Sequence, residues 1–480
     1  MLKFTPEPKV RCVISLLYEG GARECIFVGG FVRDILLGLS PKDVDIEVYG
    51  LTYKRIHQIL KRHFSVNYVG QSFGTIKVDN EIDISVPRRE SKSGVGHKGF
   101  NISCDPNLDL YSAFSRRDFT INAIGIRMDN SIYDPFGGIG DIENKVLRAP
   151  TEAFCDDPLR VLRGMQFAAR FGFTMESNTV EFCKHVFDEF VTLSVERVWG
   201  EWSKWGLKGI EPSRGLFLLR ETGWIRHFPE IANLISEANP VVHIDGGIDD
   251  NLFTNTARIC DFAVKVADEL GFDVEERLVL VFAALCYNFG KPDLDAADNR
   301  ASKDLLKQKL FGTISNLRFD SMFSGVCFVD GLRLARRFLE RLKPPLRVVD
   351  RVLAVVGEGL TDGVVLGECV VSDEGLRRLA VRLEPSSIRI WAALCRAIIL
   401  AGGKTNLTSQ VSKCELRAEE LGIFRGKPKP ILQGRDLIAR GVKAGKKMGI
   451  ILNNAYEAQL DGTFNNIDEA INWYNLNHDK

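Results

Sequence analysis

The stretch Cys25-Ile26-Phe27-Val28-Gly29-Gly30-Phe31-Val32-Arg33-Asp34-Ile35-Leu36-Leu37-Gly38, followed closely by Asp43-Val44-Asp45-Ile46-Glu47-Val48, decides the fold. Cys25–Val28 is a short apolar run of strand length. Gly29-Gly30 interrupts it, and Phe31–Leu37 reads as a helix stopped by Gly38 and Pro41. Such a strand–glycine–helix turn lets the backbone approach a ligand, and the free N–H groups at the helix start suit phosphate. Arg33 adds a charge-assisted donor. Val44–Val48 alternates with period two, so Asp43 and Asp45 project from one face of a strand. Two carboxylates so placed can hold divalent cations side by side, and hard oxygen donors suit Mg²⁺. Thr52–His63 reads as a helix, and Gly74–Val78 and Glu81–Val86 as paired strands across Asp79-Asn80. Asp83 lies in the second of these and becomes a third carboxylate if its strand is a neighbour. Two metals held there would stabilise both attacking and leaving oxygens of a phosphoryl transfer. Ser91–Asn107, rich in Gly, Ser, Lys and Asn, reads as a mobile loop, and Arg117–Gly125 as the opening of a helix.

After Pro150 the texture becomes helical. Leu159–Phe171 and Asn178–Phe190 repeat apolar residues at helical spacing, and few strand signals follow. Asp157, Arg160 and Arg163 recur at i, i+3 and i+6, which groups them on one helix face. A carboxylate accepts from an exocyclic amino group and an arginine donates to ring acceptors, so together they can present hydrogen-bond edges to a base. A chain of 480 residues holds several units at the usual ~100–200 residues each. With 45% apolar and 26% charged residues it is neither disordered nor collagenous, and no apolar run reaches the ~18–20 residues of a membrane span. Its 11 cysteines contain no CxxC pair, which excludes a zinc cage and points to reduced thiols. Met1–Pro8 shows no signal or transit character, and the expected location is cytoplasmic. Lys and Arg (63) balance Asp and Glu (63), so any nucleic-acid partner must meet a local basic surface.

The ordered set Gly29–Gly38, Asp43-Val44-Asp45, Arg116-Arg117-Asp118-Phe119-Thr120-Ile121-Asn122-Ala123, Asp134-Pro135-Phe136-Gly137-Gly138 and Asp156-Asp157-Pro158-Leu159-Arg160-Val161-Leu162-Arg163 resembles class II tRNA nucleotidyltransferases and bacterial poly(A) polymerases. The resemblance implies an α+β chain. A polymerase-β-like nucleotidyltransferase head, a small β-sheet with helices, is followed by a mostly α-helical neck, body and tail. It implies a head over 1–147, a neck over 148–212, a body over 213–400 and a tail over 401–480. Asp43 and Asp45 match the family's metal pair, with Asp83 a further catalytic carboxylate. Gly30, Arg33 and Arg117 match its triphosphate-contacting positions. Asp157 and Arg160 match the residues that select CTP or ATP without a nucleic-acid template, with Arg163 a further nucleotide contact. Asp156 replaces the usual Glu, and Gln166 stands where many relatives carry an arginine, which would remove a phosphate or ribose contact. Glu196-Arg197 and Glu201 resemble a neck motif expected to buttress that helix. The flexible segment 91–109, with Lys92, His97 and Lys98, is associated in the family with the switch to ATP.

Leu285-Cys286-Tyr287-Asn288-Phe289-Gly290-Lys291-Pro292 resembles an HD-type phosphohydrolase segment with Tyr287-Asn288 in place of His-Asp. Phe253-Thr254-Asn255-Thr256 resembles a second such motif without its histidine, Cys327 falls where another would stand, and only His243 remains. One histidine does not make a divalent-metal hydrolase centre, so no metal is expected in this body. Residues 421–450 carry eight basic residues, Arg425, Lys427, Lys429, Arg435, Arg440, Lys443, Lys446 and Lys447, against Asp436 alone. This is the candidate tRNA-contacting surface. The resulting expectation is a CCA-adding tRNA nucleotidyltransferase using tRNA, CTP, ATP and Mg²⁺. CC-adding, A-adding and poly(A)-polymerase activities share the same head, and a non-catalytic RNA-binding protein is the alternative of another class.

Overall fold

Local alternation and capping account for most of the first elements. The structure, a computed structural model, describes residues 4–69, 75–92, 100–235, 240–242, 248–290, 324–358, 372–403 and 408–478. Two compact units divide the chain, Met1–His227 and Phe228–Lys480.

In the first unit, α1 (Pro8–Glu19) precedes β1 (Glu24–Val28), which runs directly into α2 (Gly29–Leu36). After β2 (Val44–Tyr49), the Thr52 hydroxyl accepts from Arg55 N–H and starts α3 (Tyr53–Leu60), a cap worth about 1 kcal/mol. Then come β3 (Val66–Val69), β4 (Thr75–Val78) and β5 (Ile82–Ser85). Asp79 and Asn80 take positive φ of 49° and 60° in the β4–β5 turn, a conformation short polar residues tolerate. Next come β6 (Arg88–Lys92), β7 (Phe100–Cys104), α4 (Leu110–Phe114), β8 (Gly125–Ile126) and β9 (Ile132–Tyr133). Seven strands form one mixed sheet in the order β3-β4-β5-β2-β1-β8-β9. Only β2 and β5 run parallel within it, with Asp45 opposite Asp83. Val13, Leu17, Phe27, Val32, Ile46, Val48, Ile56, Ile76 and Ile84 fill the core beneath.

Two expectations need correction here. The two ends of the 91–107 stretch enter strands: β6 and β7 pair antiparallel from Arg88↔Cys104 to Lys92↔Phe100, while residues 93–99, His97 and Lys98 among them, lie outside the described residues. Residues 117–125 do not open an α-helix. Asp118 accepts from Phe119 N–H and from Asn122 Nδ2, which ends the segment as one 3₁₀ turn, Thr120–Asn122, before β8. Side-chain oxygens that capture nearby N–H groups compete with helix in this way.

The rest of the first unit follows α5 (Gly138–Glu143) and β10 (Val146–Leu147). It comprises α6 (Leu159–Phe171), β11 (Thr174–Met175), α7 (Ser177–His185), α8 (Val195–Lys208) and α9 (Pro212–Glu221). Helix α7 stops short of Phe190, and Phe187–Thr192 tightens to 3₁₀. Helix α6 packs on α8 and α9, burying Trp202 and Trp205 completely.

The second unit is built on Leu252–Glu269, which packs on Val274–Cys286 and Ile388–Ala401. A reciprocal capping box between Asp273 and Glu276 starts the second of these. Helices Gly434–Ile438, Lys446–Leu460 and Ile467–His478 close around Leu432, Leu437, Met448, Ile451 and Phe464. Among the described residues, no helix is long and apolar enough to cross a membrane.

Candidate active site

The sharp β1–α2 turn requires a glycine. Gly29 has φ +68°, and a Cβ there would stand 3.3 Å from Arg117 Nη1 and 3.7 Å from Asp45 Oδ2. The first turn of α2 donates Phe31 N–H to the Asp45 carboxylate. Asp45 and Asp83, as neighbours in register, face one cavity. Burial first, and then the charge of Asp83, push the Asp45 carboxyl up to about 6; Asp43 adds to the rise and Arg117 opposes it. Asp83 Oδ1 is buried and accepts no hydrogen bond, with Lys77 Nζ 3.3 Å away. Asp43 stands one residue before β2, exposed and outside the cavity lining. Among the described residues no three His, Cys, Asp or Glu side chains enclose an ion position. Yet the donor set, two adjacent carboxylates of which one buried oxygen is ion-paired to Lys77 but accepts no hydrogen bond among the described residues, fits a hard divalent cation whose remaining ligands come from water or phosphate.

On the phosphate side, Arg33 is 4% exposed. Its Nη1 donates to Asn122 Oδ1 at 2.7 Å, and its Nε and Nη2 donate to Asp34 Oδ1. It lies over the Phe167 and Phe171 rings. Burial lowers its pKa against the opposing charge of Asp34. Gly30 lies beside it, with Arg33 Nη2 3.3 Å from the position a Cβ would take. Arg117 is less committed. Its Nη2 donates to Glu47 Oε2 at 3.1 Å, its guanidinium lies over Phe114, and its Nε is buried without a hydrogen-bond partner among the described residues.

The trio Asp157, Arg160 and Arg163 departs from the helix-face expectation. Asp157 is extended (φ −127°, ψ 103°) and precedes α6. Pro158 follows it, and a residue before proline is biased away from helix. Asp157 Oδ1 accepts from Leu159 N–H at 3.1 Å, and its Oδ2 accepts from Arg197 Nη2 at 2.7 Å. Arg160 donates Nη1 to Ala153 O and Nη2 to Arg116 O, both at 2.6 Å. Arg163 pairs with Asp118 at 2.6 Å. Burial alone would raise the Asp118 carboxyl, but Arg163, Asn122 and Arg160 outweigh it and hold it at about 2. Gln166 is 2% exposed and absent from the cavity lining. The substitution read as a lost phosphate contact therefore lies in the α6 core.

One cavity of about 610 Å³ collects Gly30, Arg33, Asp45, Asp83, Arg117, Asp157, Arg160 and Arg163. The sequence reading placed all eight at the site; Asp43 alone of its head and neck residues does not line it. The cavity also contains Glu47, Asp118, Asn122 and Arg197, none of them singled out there for a site role. Glu47 carried a visible signal, since it continues the i, i+2, i+4 series from Asp43 and Asp45 on one strand face. Asp118 and Asn122 act through long-range pairing that sequence spacing does not reveal.

In the second unit, Asn288 is fully buried and donates Nδ2 to Thr256 Oγ1 at 2.8 Å and to Asn255 Oδ1 at 3.2 Å. The positions of the eroded HD motifs are thus brought together and hydrogen-bonded to each other. Cys327 belongs to the helix Ser324–Leu342, and His243 lies outside the described residues. Arg425, Lys427, Lys429, Lys443, Lys446 and Lys447 are all exposed. Lys427 pairs with Glu384 at 3.0 Å, which reduces the excess charge read from the segment alone. Lys446 and Lys447 begin a helix, where the positive end of its dipole disfavours cations.

Residues 25–148 match the family described as the poly A polymerase head domain, and residues 172–235 match the probable RNA and SrmB-binding site of polymerase A. The Multifunctional CCA protein of Methylobacillus flagellatus is 37% identical over 273 residues, covering 55% of this chain and 61% of that protein. That of Aromatoleum aromaticum is 36% identical over 274 residues, covering 55% and 62%. The chain thus spans about six-tenths of the length of these relatives. The Bacillus stearothermophilus CCA-adding enzyme in complex with CTP aligns over 99% of this chain and 98% of its own, with TM-score 0.59 and 22% identity. The Thermotoga maritima CCA-adding enzyme complexed with tRNA aligns over 98% and 95%, with TM-score 0.58 and 18% identity. These likenesses establish the fold as a polymerase-β-like nucleotidyltransferase head with a helical remainder. The ordered motifs line one cavity, residues 25–148 match the poly A polymerase head domain, and over about six-tenths of their length the chain is similar to Multifunctional CCA proteins.

Proposed function

We propose that this chain adds CCA to tRNA 3′ ends. The 3′-hydroxyl attacks the α-phosphate of CTP or ATP, pyrophosphate leaves, and side chains rather than a nucleic-acid template choose the base. The observation that carries this reading is the single cavity shared by Asp45 and Asp83, by Arg33 and Arg117, and by Asp157 and Arg160. Asp45 and Asp83, with Asp43 at the strand entrance, are the residues to hold a divalent cation, which we assign as Mg²⁺. Bound there, it supplies a lower pKa for the attacking hydroxyl and charge neutralisation for the leaving group. Gly30, the start of α2, Arg33 and Arg117 receive the triphosphate. Asp157 accepts from the amino group common to cytosine and adenine, Arg160 donates to the acceptor beside it, and Arg163 holds the nucleotide side of the neck. The names of the curated relatives support CCA addition.

The division into head (1–147), neck (148–212), body (213–400) and tail (401–480) belongs to this reading. So do a cytoplasmic location, a body without metal, and tRNA contact through Arg425, Lys427, Lys429, Lys443, Lys446 and Lys447. The test uses purified protein with three tRNAs: one lacking CCA, one ending in the first C, and one ending in CC. Each is offered labelled CTP or ATP. Two cytidines followed by one adenosine is the expected product. Cytidine alone, adenosine alone, or a long adenosine tail would each refute the full CCA assignment in favour of a narrower or different polymerase.

A further inference from the structure

Glu47 is out of place in a cavity built for a polyanion. It sits two residues after Asp45 on β2, is 9% exposed, and lines the same cavity as Asp45 and Asp83. Another carboxylate beside Asp45 and Asp83, itself buried, adds repulsion toward phosphate and a desolvation cost of its own. A glutamine of similar volume would avoid both. What the carboxylate does locally is specific. Its Oε1 accepts from the Tyr49 hydroxyl at 2.5 Å, and its Oε2 accepts from Arg117 Nη2 at 3.1 Å. Tyr49, fully buried in the cluster with Phe114 on the same face of β2 as Glu47, fixes the carboxylate plane. Arg117 is further confined by the Phe114 ring, 4.9 Å from its guanidinium carbon. Its Nη1 is left beside Gly29, where α2 begins.

We propose that Glu47, set by Tyr49, is a positioning residue for Arg117. The pair tethers one terminal nitrogen of the guanidinium so that the other faces the α2 N-terminus, where the nucleotide's phosphates are received. The inference rests on the reading of Arg117 as a triphosphate contact and extends it to the residues that aim it. The cost of the extra negative charge is offset by removing rotamer freedom from the arginine before the nucleotide arrives.

The test measures kcat and KM for CTP and ATP, inhibition by pyrophosphate, and melting temperature. The variants are Glu47→Gln, Tyr49→Phe, Arg117→Lys and the Glu47→Gln/Arg117→Lys double. Positioning predicts that Glu47→Gln raises KM for CTP and ATP alike by about tenfold, because one charge-assisted contact is weakened. Pyrophosphate inhibition should weaken in parallel, kcat should fall less than about threefold, and selectivity against UTP should stay parental. Tyr49→Phe should move the same constants in the same direction by less, and it serves if Glu47→Gln fails to fold. In the Arg117→Lys background, Glu47→Gln should add little. Unchanged or tighter nucleotide binding in Glu47→Gln, with a raised KM in Arg117→Lys, overturns the inference alone. Unchanged KM in Arg117→Lys overturns the triphosphate assignment beneath it. A loss confined to kcat that follows melting temperature marks Glu47 as structural and also overturns the proposal.

Discussion

Asp157→Asn separates base reading from helix support. The Asp157 Oδ1 atom caps α6 by accepting from Leu159 N–H, and an amide oxygen can take its place. Losing that cap outright would cost about 1 kcal/mol. Its Oδ2 accepts from Arg197, and an amide nitrogen there sets donor against donor. The two side chains are 26% and 24% exposed, so the ion pair contributes about 1 kcal/mol or less. A melting-temperature drop of only about 2–4 °C follows. Selectivity should move much further. Cytosine and adenine carry an exocyclic amino donor that a carboxylate rewards, whereas uracil presents a carbonyl. Exchanging acceptor for donor is worth about 1–3 kcal/mol of discrimination. The ratio of kcat/KM for CTP over UTP should therefore fall about ten- to a hundredfold. The assay is single-nucleotide extension of a tRNA lacking CCA, with CTP, ATP, UTP and GTP offered separately. A ratio is needed because a folding defect lowers all four nucleotides together. Parental selectivity at any overall rate would refute the reasoning and leave Asp157 as a helix cap and an anchor for Arg197.

Asp45→Asn and Asp83→Asn should each reduce nucleotide addition to background while tRNA binding in a filter assay persists; near-normal turnover in either would unseat the carboxylate assignment. Asp118 is held at about 2 against an ordinary 3.8, so its ionised form stabilises the fold above about pH 4, and that contribution is lost as pH falls from about 4 to 2. Asp118→Asn should lose about 2 kcal/mol at neutral pH and flatten the stability profile between pH 4 and 2. Urea melts across that range check it, and an unchanged slope refutes it. Replacing Lys443, Lys446 and Lys447 together with glutamine should weaken tRNA binding and make the salt dependence shallower by about two to three in log–log slope. An unchanged slope in a salt titration would return these lysines to an ordinary solvated face.

Local pattern carried the parts of the fold that depend on neighbours in sequence. The β1–Gly-Gly–α2 turn, β2 with its period-two carboxylates, and α6 with its helical apolar repeat all form where spacing placed them. What escaped depends on partners far along the chain. β6 and β7 look like loop by composition and become a hairpin only because each supplies the other's hydrogen bonds. Residues 117–125 have helical texture, yet Asp118 and Asn122 divert the local hydrogen bonding. Gly125 is needed in β8, where any Cβ would lie 2.4 Å from Ile26 Cδ1. At the site, residue types located residues that share one cavity and did not locate their contacts. Arg33, Arg117 and Arg163 are legible as cations, but their pairing with Asp34, Glu47 and Asp118 is visible only in three dimensions.

Arg160 is held by two main-chain carbonyls, those of Ala153 and Arg116. These two tethers are therefore insensitive to which side chains stand at positions 116 and 153, because main-chain oxygens make them. A change in chain length between 116 and 153 is different. One residue inserted or removed moves at least one carbonyl, and the guanidinium moves with it. On the proposed reading of Arg160 as a base contact, these two tethers are buffered against side-chain replacement at 116 and 153 themselves and exposed to insertion and deletion between them. Errors in nucleotide choice should arise from frame-preserving length variants there sooner than from replacement of Ala153.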